Sequence, residues 1–395
     1  MKKTINLLKI TLCLTFVNIS FAQIKKIIVV DKSTNLPIEN VSLSYSESNE
    51  GTFTNSNGMA SLVMKKNDLK ISMIGYEDIS IAFDKLNKVD TLFLSSISIQ
   101  LEEVTIKSFK LKEAINYVLD NYNKLYVDIP FEKECNFKET VLVDNNLKRL
   151  ILTKVNWWDK SYERKKNEIK LRLGSIDYNK NEPLDIYIDV PRLNNALISG
   201  YIEPSSLINT IYLNVFLNSF LNFTNNMTSY VEKTTNDLII VHFESELKKV
   251  GTSAYQHIGT ISFDKKSKAI VNISFDTNQK DNIQKKIIKE NNKESITETK
   301  NNSMQIIFSK SLENKLSLKS YKTTVDIDVI YNDKTHSIVF ENQIYVLKEM
   351  PLKKVSNEGV INITKPIFQS LPSKTISSIN SILLSEKENS FIFKN

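Results

Sequence analysis

Three histidines, His242, His257 and His336, and two cysteines, Cys13 and Cys135, are the whole stock of imidazole and thiol in this 395-residue chain. A Cys135 nucleophile needs a histidine base beside it, and His242 and His257 are the candidates. Both fall in strand-like runs, where a plain core or surface role is the ordinary outcome. No histidine stands in a His-x-x-Glu or His-Glu-x-x-His pattern, the spacing that holds zinc on one helical face. Asp185 and Asp189 share a face if their segment is a strand, which sets them in the roughly 5–10 Å window of paired glycosidase carboxylates. Many surface pairs satisfy the same window. Glu102 and Glu103 are sequence neighbours, so in a strand they point to opposite faces and cannot act together. Thr54-Asn55-Ser56-Asn57-Gly58 has the outline of a calcium loop but none of its carboxylates, and reads as a tight turn. There is no Gly-x-Ser-x-Gly elbow, phosphate-cradling glycine loop or dinucleotide fingerprint, and eight glycines leave little room for one. No catalytic residue, metal ligand or cofactor-binding residue is therefore assigned, and no cofactor is expected.

The elements that carry these residues begin with an export signal, Met1–Ala22. Lys2, Lys3 and Lys9 supply positive charge, Ile10–Val17 is a short apolar run, and Ser20-Phe21-Ala22 precedes a cut at Gln23. The run is too short for a stable membrane span. Leu12 stands where a lipoprotein signal needs a small residue, which argues against lipidation of Cys13. Cleavage leaves Cys135 as the sole cysteine, so no internal disulfide is expected and the exported chain must be held by its cores. The formal charge of +7 falls to +4 with the three leader lysines removed. That surplus is too small to point to nucleic acid or an anionic membrane. No later stretch reaches the length of a membrane helix, and the exported chain is long enough for two cores.

Gln23–Ile106 alternates and is punctuated by turns. Ile24–Val30 is β-branched, Asp31–Asn35 is a turn followed by Pro37, and Val41, Leu43 and Tyr45 alternate with serines. Asn55–Gly58 makes a turn, Met59–Met64 and Leu69–Ile74 are strands, and Gly75 permits a bend. Ile79–Phe83 and Thr91–Leu94 come next. About seven short strands with no helical period imply an antiparallel β-sandwich of transthyretin or immunoglobulin type. The set Asp31…Pro37-Ile38, Gly51-Thr52-x-Thr54-Asn55-x-Asn57-Gly58, Ile74-Gly75-Tyr76 and Leu101-x-Glu103-Val104-x-Ile106 resembles the carboxypeptidase-regulatory-like domain, a transthyretin-like sandwich abundant in Gram-negative envelope proteins. The likeness covers about a fifth of the chain. The same domain often opens TonB-dependent receptors, but residues 107–395 are too few and too differently patterned for their 22-stranded barrel. The metallopeptidase that lends the domain its name would need zinc-binding histidines that this chain lacks.

Residues 107–395 change character. Leu111, Ala114, Ile115, Val118, Leu119 and Tyr122 mark one face of a helix within Phe109–Tyr126, stopped by Pro130. Phe137–Val143 and Arg149–Val155 read as a hairpin around Asp144-Asn145-Asn146. Trp157 and Trp158 read as core plus rim rather than as a binding platform. Leu193–Phe223 reads as one or two helices with Pro204 at a start or break. From Ser229 to Lys348 the chain is strand-like almost throughout, its strands separated by Asn, Asp and Lys turns, with Lys280–Lys300 as a solvated hairpin tipped at Glu290–Lys293. The sum is an α+β domain with a large curved antiparallel sheet and a few helices, so the whole chain is mainly β. Gly259-Thr260-Ile261-Ser262-Phe263-Asp264 with Ala269-Ile270 resembles a hairpin of LolA-like envelope carriers, which implies an apolar cradle for acyl chains. Asn136–Thr140 resembles a segment that is often found after the regulatory-like domain.

These features imply an exported, non-enzymatic envelope protein, periplasmic or associated with the outer membrane. Its C-terminal domain would bind an apolar ligand such as a lipid, or an envelope protein partner. Two other classes stand beside this reading. One is a peptide or glycan hydrolase with its site at Asp185, Asp189 or Cys135. The other is a surface adhesion or scaffold component.

Overall fold

The computed structural model describes residues 24–45, 51–73, 75–96, 108–163, 168–186, 203–222, 227–250, 253–280, 285–290, 293–372, 375–376 and 383–393. The expected export signal, the Leu101–Ile106 motif with Glu102 and Glu103, the 106/107 domain boundary and Asp189 lie outside them. Contacts divide the chain into an N-terminal unit, Met1–Glu47 and Gly51–Ile97 together with Ser381–Leu383, and a C-terminal unit, Ser98–Asn380 and Leu384–Asn395 together with Ser48–Glu50. The protein is mainly β, and the large sheet of the C-terminal unit is open.

Among its described residues the N-terminal unit has seven strands, β1 (Ile24–Asp31), β2 (Ser42–Tyr45), β3 (Gly51–Phe53), β4 (Met59–Val63), β5 (Leu69–Ser72), β6 (Ile79–Ile81) and β7 (Thr91–Leu94). They form sheets of order β4-β1-β7 and β3-β2-β5-β6. Ile27 and Val29 of one sheet and Leu43, Leu69 and Ile71 of the other share a core. Period-two alternation sends these side chains inward. All pairs are antiparallel except β1 with β7, which run parallel. The strand read as Ile79–Phe83 stops at Ile81, because a one-turn helix, α1 (Phe83–Leu86), buries Leu86 against the core.

The family-like motif residues do structural work here. The Asp31 carboxylate accepts the backbone N–H groups of Ser33 and Thr34 and the Ser33 hydroxyl, closing the turn. Those bonds, the Ser33 hydroxyl foremost, hold it well below the usual carboxylate range. The buried Thr54 hydroxyl accepts from the Val41 N–H at 2.9 Å and donates to the Ile38 carbonyl at 2.6 Å. Gly58 has φ +69°, and a Cβ there would come within 2.6 Å of the Val29 carbonyl oxygen, so only glycine fits.

The C-terminal unit is built on β8 (Phe131–Val143), β9 (Asn146–Asp159), β10 (Lys170–Asn181), β11 (Met227–Thr234), β12 (Leu238–Ser245), β13 (Lys248–Val250), β14 (Ser253–Asp264), β15 (Ile270–Lys280), β16 (Lys285–Glu290), β17 (Lys293–Lys310), β18 (Leu316–Tyr331), β19 (Lys334–Pro351) and the two-residue β20 (Thr375–Ile376). The order is β11-β12-β14-β15-β17-β18-β19-β8-β9-β10-β20, with β13 on β14 and β16 on β17. Every pairing is antiparallel, and consecutive hairpins supply most of them. The helices α2 (Leu111–Asp120), α3 (Tyr122–Leu125), α4 (Pro204–Ile211) and α5 (Leu213–Leu221) pack on one face, here called inner. Leu111, Ile115 and Val118 meet Leu213, Leu217 and Phe220 there, over Cys135, Phe137, Ile273 and Ile306. The expected helix at Phe109–Tyr126 is thus two helices, broken at Asn121.

The chain's own C-terminal stretch manages the rest. It bridges the open edge of β10 at Arg172↔Val360 and again at Asn179↔Thr375 and Tyr178↔Ile376. Paired edges are closed to adventitious strand addition. The last helix, α6 (Glu386–Phe393), lies on the outer face against β9. Ser385 and Glu388 make a reciprocal capping box, with N–H to side-chain distances of 2.8 and 3.3 Å. Glu388 also pairs with the buried Lys138 at 2.7 Å.

Candidate functional site

The most concentrated polar chemistry among the described residues lies on the inner face of β8 and its neighbours. Alternation along β8 sends Phe131, Lys133, Cys135, Phe137 and Glu139 inward, so one lysine and one glutamate enter an otherwise apolar row. Lys133 is fully buried and forms an ion pair with Glu349 of β19. Its ammonium is 2.5 Å from the Ser317 hydroxyl of β18, and that hydroxyl is 3.0 Å from Glu349. The Phe131 ring lies 4.0 Å from the ammonium, with Trp157 and Tyr162 each at 5.8 Å.

A β-bulge creates this pairing. Cys135 faces Val346, but the register then slips by one residue, so Glu134 faces Lys348 and Lys133 faces Glu349. Without the slip, Lys348 would stand opposite Lys133. The inserted residue exchanges a repulsion for an attraction on the buried face and turns Lys348 outward.

Two further networks flank it. Asp159 of β9 is buried and accepts the Tyr212 hydroxyl and the N–H groups of Lys160 and Glu168, the latter two at 2.7 Å. Burial nevertheless pushes its carboxyl above the usual range. Tyr212 stacks on Tyr162, and Tyr162 donates to the Ile211 carbonyl at 2.5 Å. Toward the other end of β8, Glu139 pairs with Arg149 at 3.1 Å, and Arg149 donates to Asn181 and lies 4.0 Å over Phe368. Burial raises the Glu139 carboxyl, opposed by Arg149.

A serine beside a lysine is a constellation for acyl transfer. Here Ser317 and Lys133 are both 0% exposed, and the lysine is engaged by Glu349. Substrate has no approach to either atom, so the arrangement fixes the register of β8, β18 and β19. Only one signal in the sequence pointed to it, a lysine at an inward position between Phe131 and Cys135. Its partners lie 184 and 216 residues away.

The residues singled out from sequence are not brought together. Cys135 is buried, and burial pushes its thiol up to about 12, so it is a neutral thiol rather than a nucleophile. His257 is on the same face but five strands away along the sheet, with Nδ1 3.0 Å from the Thr277 hydroxyl and its ring on Phe275. His242 alternates with the buried Val241 and Phe243, so it points to the outer face, where it lies against Tyr230. His336 meets Asp144 at 2.8 Å in the β8–β9 turn region. Asp185 is not in a strand. Its φ is +59°, and it makes an exposed ion pair with Lys148 at 2.6 Å. Among the described residues no group of three or more His, Cys, Asp or Glu side chains is placed to hold a metal. Trp157 and Trp158 are both buried, one on each face, and Trp158 donates to the Leu352 carbonyl at 2.7 Å.

No curated protein matches the chain. Among solved structures, the chain overlaps a presumed membrane-associated protein of unknown function from Bacteroides fragilis at 8% identity and TM-score 0.14, covering 82% of this chain and 97% of that one. It overlaps a loop-deletion mutant of OmpT, an outer membrane protein of Vibrio cholerae, at 9% identity and TM-score 0.10, covering 56% and 98%. Overlaps at such scores carry no argument. The likeness of the Gly259–Ile270 hairpin to LolA-like carriers finds no support in these comparisons. Residues 28–106 do match a family model, described as the CarboxypepD_reg-like domain. The turn chemistry of Asp31, Thr54 and Gly58 thus belongs to a carboxypeptidase-regulatory-like domain, which is consistent with an envelope protein.

Proposed function

We propose that this is an exported envelope protein that acts by binding rather than catalysis, and that its C-terminal unit meets a protein partner through the outer face of its large sheet. One observation carries the reading. The groups with reactive potential, Lys133, Ser317, Cys135, Asp159 and Glu139, are buried inside the inner-face core. The outer face, where α6 does not cover it, is instead laid out as a ladder of half-buried ion pairs, with Arg172 on Glu132, Lys154 on Glu134 and Lys322 on Glu341. Charged ladders of this kind suit recognition and registration more than chemistry.

An apolar ligand is the weaker form of the binding reading. α2–α5 already cover the inner face around Cys135, Phe137, Ile273 and Ile306 with their own side chains, and Leu184 and Ile186 pack with Val141, Val143 and Phe340 at its other end. The test is native mass spectrometry of the chain from Gln23, isolated from its own envelope without detergent. A bare polypeptide mass is the expected result. An added mass that fragments as a lipid overturns the partner version. Photo-cross-linking from Gln305 and from Thr324, both at outer-face register positions of β17 and β18, then reads the contact in cells. A discrete adduct from these sites, absent from a probe at the buried Ile306, supports the outer face as the contact.

A further inference from the structure

We infer that the outer face of the β4-β1-β7 sheet in the N-terminal unit docks onto an anionic lipid surface. Among the described residues, six of the ten large apolar side chains that are exposed, Ile24, Ile28, Leu36, Val63, Val89 and Phe93, lie in this small unit. Isolated exposed hydrophobics need no explanation, but contiguous ones do. Four of these six share one sheet face. Ile24 faces Val63 across the β1–β4 pair, Ile28 comes four residues on between Met59 and Thr91, and the buried Val30 faces Phe93 across β1–β7. Their exposures are 57, 48, 38 and 50% for Ile24, Val63, Ile28 and Phe93.

The charge on this face has one sign. Alternation along β1 places Lys26 between Ile24 and Ile28, and Lys32 follows in the turn just past the end of the strand. Both lysines are exposed. The β4 and β7 residues of that face are Met59, Ser61, Val63, Thr91 and Phe93, with no acid among them. The nearby Asp90 is engaged by Lys25, of the opposite parity, at 2.9 Å.

An apolar patch with basic groups set into it is the chemistry of interfacial membrane binding. Apolar side chains enter the headgroup boundary while lysines meet lipid phosphates. Four partly exposed side chains make a small patch, well short of the roughly 800 Å² per partner of a stable protein interface. That disfavours a second copy of the chain. The net charge of the protein is no guide to this face, because the lysines act locally within a screening length of about 10 Å.

The test is co-sedimentation of the chain from Gln23 with vesicles of phosphatidylcholine, with and without phosphatidylglycerol. The expected result is binding only to vesicles that contain phosphatidylglycerol, fading as salt rises. Lys26→Glu with Lys32→Glu should cut that binding by about tenfold or more, and Ile28→Ser with Phe93→Ser should cut it similarly. All four residues are solvent-facing, so thermal melting of the variants should match the parent. Equal binding to both vesicle types, or a parent and a Lys26→Glu/Lys32→Glu variant that bind alike, overturns the inference. A chain that ignores vesicles but self-associates, and loses that on Ile28→Ser with Phe93→Ser, assigns the face to a second copy and overturns it too.

Discussion

The two units treat polar and apolar residues in opposite ways. In the N-terminal unit, buried polar atoms tie turns locally, as Thr54 ties Val41 and Ile38, and apolar residues are left over for the surface. In the C-terminal unit, apolar residues are consumed by a core beneath four helices, and charges are drawn inside with partners far away in sequence. A seven-strand sandwich of small size can be specified by its turns. A sheet with strands of up to eighteen residues cannot, because alternation alone permits a slip by two. Buried ion pairs remove that freedom, since a slip would strand a charge in the core.

Breaking a register lock should therefore cost more than breaking a turn tie. Lys133→Met leaves Glu349 and Ser317 buried without their cation, and should destabilise the C-terminal unit by about 3–5 kcal/mol. Both tryptophans lie in that unit, so tryptophan fluorescence in a urea titration reads it alone. The double change Lys133→Met with Glu349→Leu should recover most of the loss. If it does not, the pair is not a register lock.

Thr54→Val removes one hydroxyl that serves two backbone groups. The N-terminal unit should lose about 1–3 kcal/mol, with the tryptophan transition unmoved. Hydrogen exchange at Val41 and its neighbours is the measurement. A matching shift in the tryptophan transition would erase the contrast between the units.

A third, smaller effect separates the two faces of β8. Glu388 has its carboxyl lowered, as Lys138 and Ser385 outweigh the burial that would raise it. A depressed carboxylate contributes stability above its unfolded value near 4.5 and loses it as pH falls through the lower, folded value. As pH falls below about 4.5, α6 should lose exchange protection relative to the intrinsic rate at each pH, while inner-face strands stay protected. Simultaneous loss of both would mean α6 is integral to the sheet rather than a cover on it.

The smallest effect is expected at Asp185. Asp185→Asn should leave stability within about 0.5–1 kcal/mol, since its pair with Lys148 is exposed. If the same change abolished hydrolysis of a peptide or glycan by the purified chain, the hydrolase reading would return.

Much of the architecture was legible because it obeys local rules. The turns at Asp31 and Gly58, the strands β1, β2 and β4 and the α2 stripe were readable from turn chemistry and periodicity, whereas β3 was not read as a strand. So were the meander from β11 to β19 and the tip between Glu290 and Lys293. What was not legible depended on distant partners. The strand at Lys170–Asn181 carries two register shifts that blur its alternation, and α6 shows little amphipathic pattern before Lys138 receives Glu388. Asp185 and Cys135 looked reactive because sequence reveals residue type without exposure.

By itself the sequence determined the identity of the N-terminal domain and the mainly β class, because backbone conformation and side-chain alternation are set by neighbours a few residues apart. It also set the chemistry available, with three histidines and eight glycines to work with. Only the tertiary structure decided which charges went inside, which of Lys348 and Glu349 faces Lys133, and that Ile24, Ile28, Val63 and Phe93 fall on one open face. Those outcomes depend on pairing between segments far apart in the chain, where a single-residue slip exchanges inside for outside.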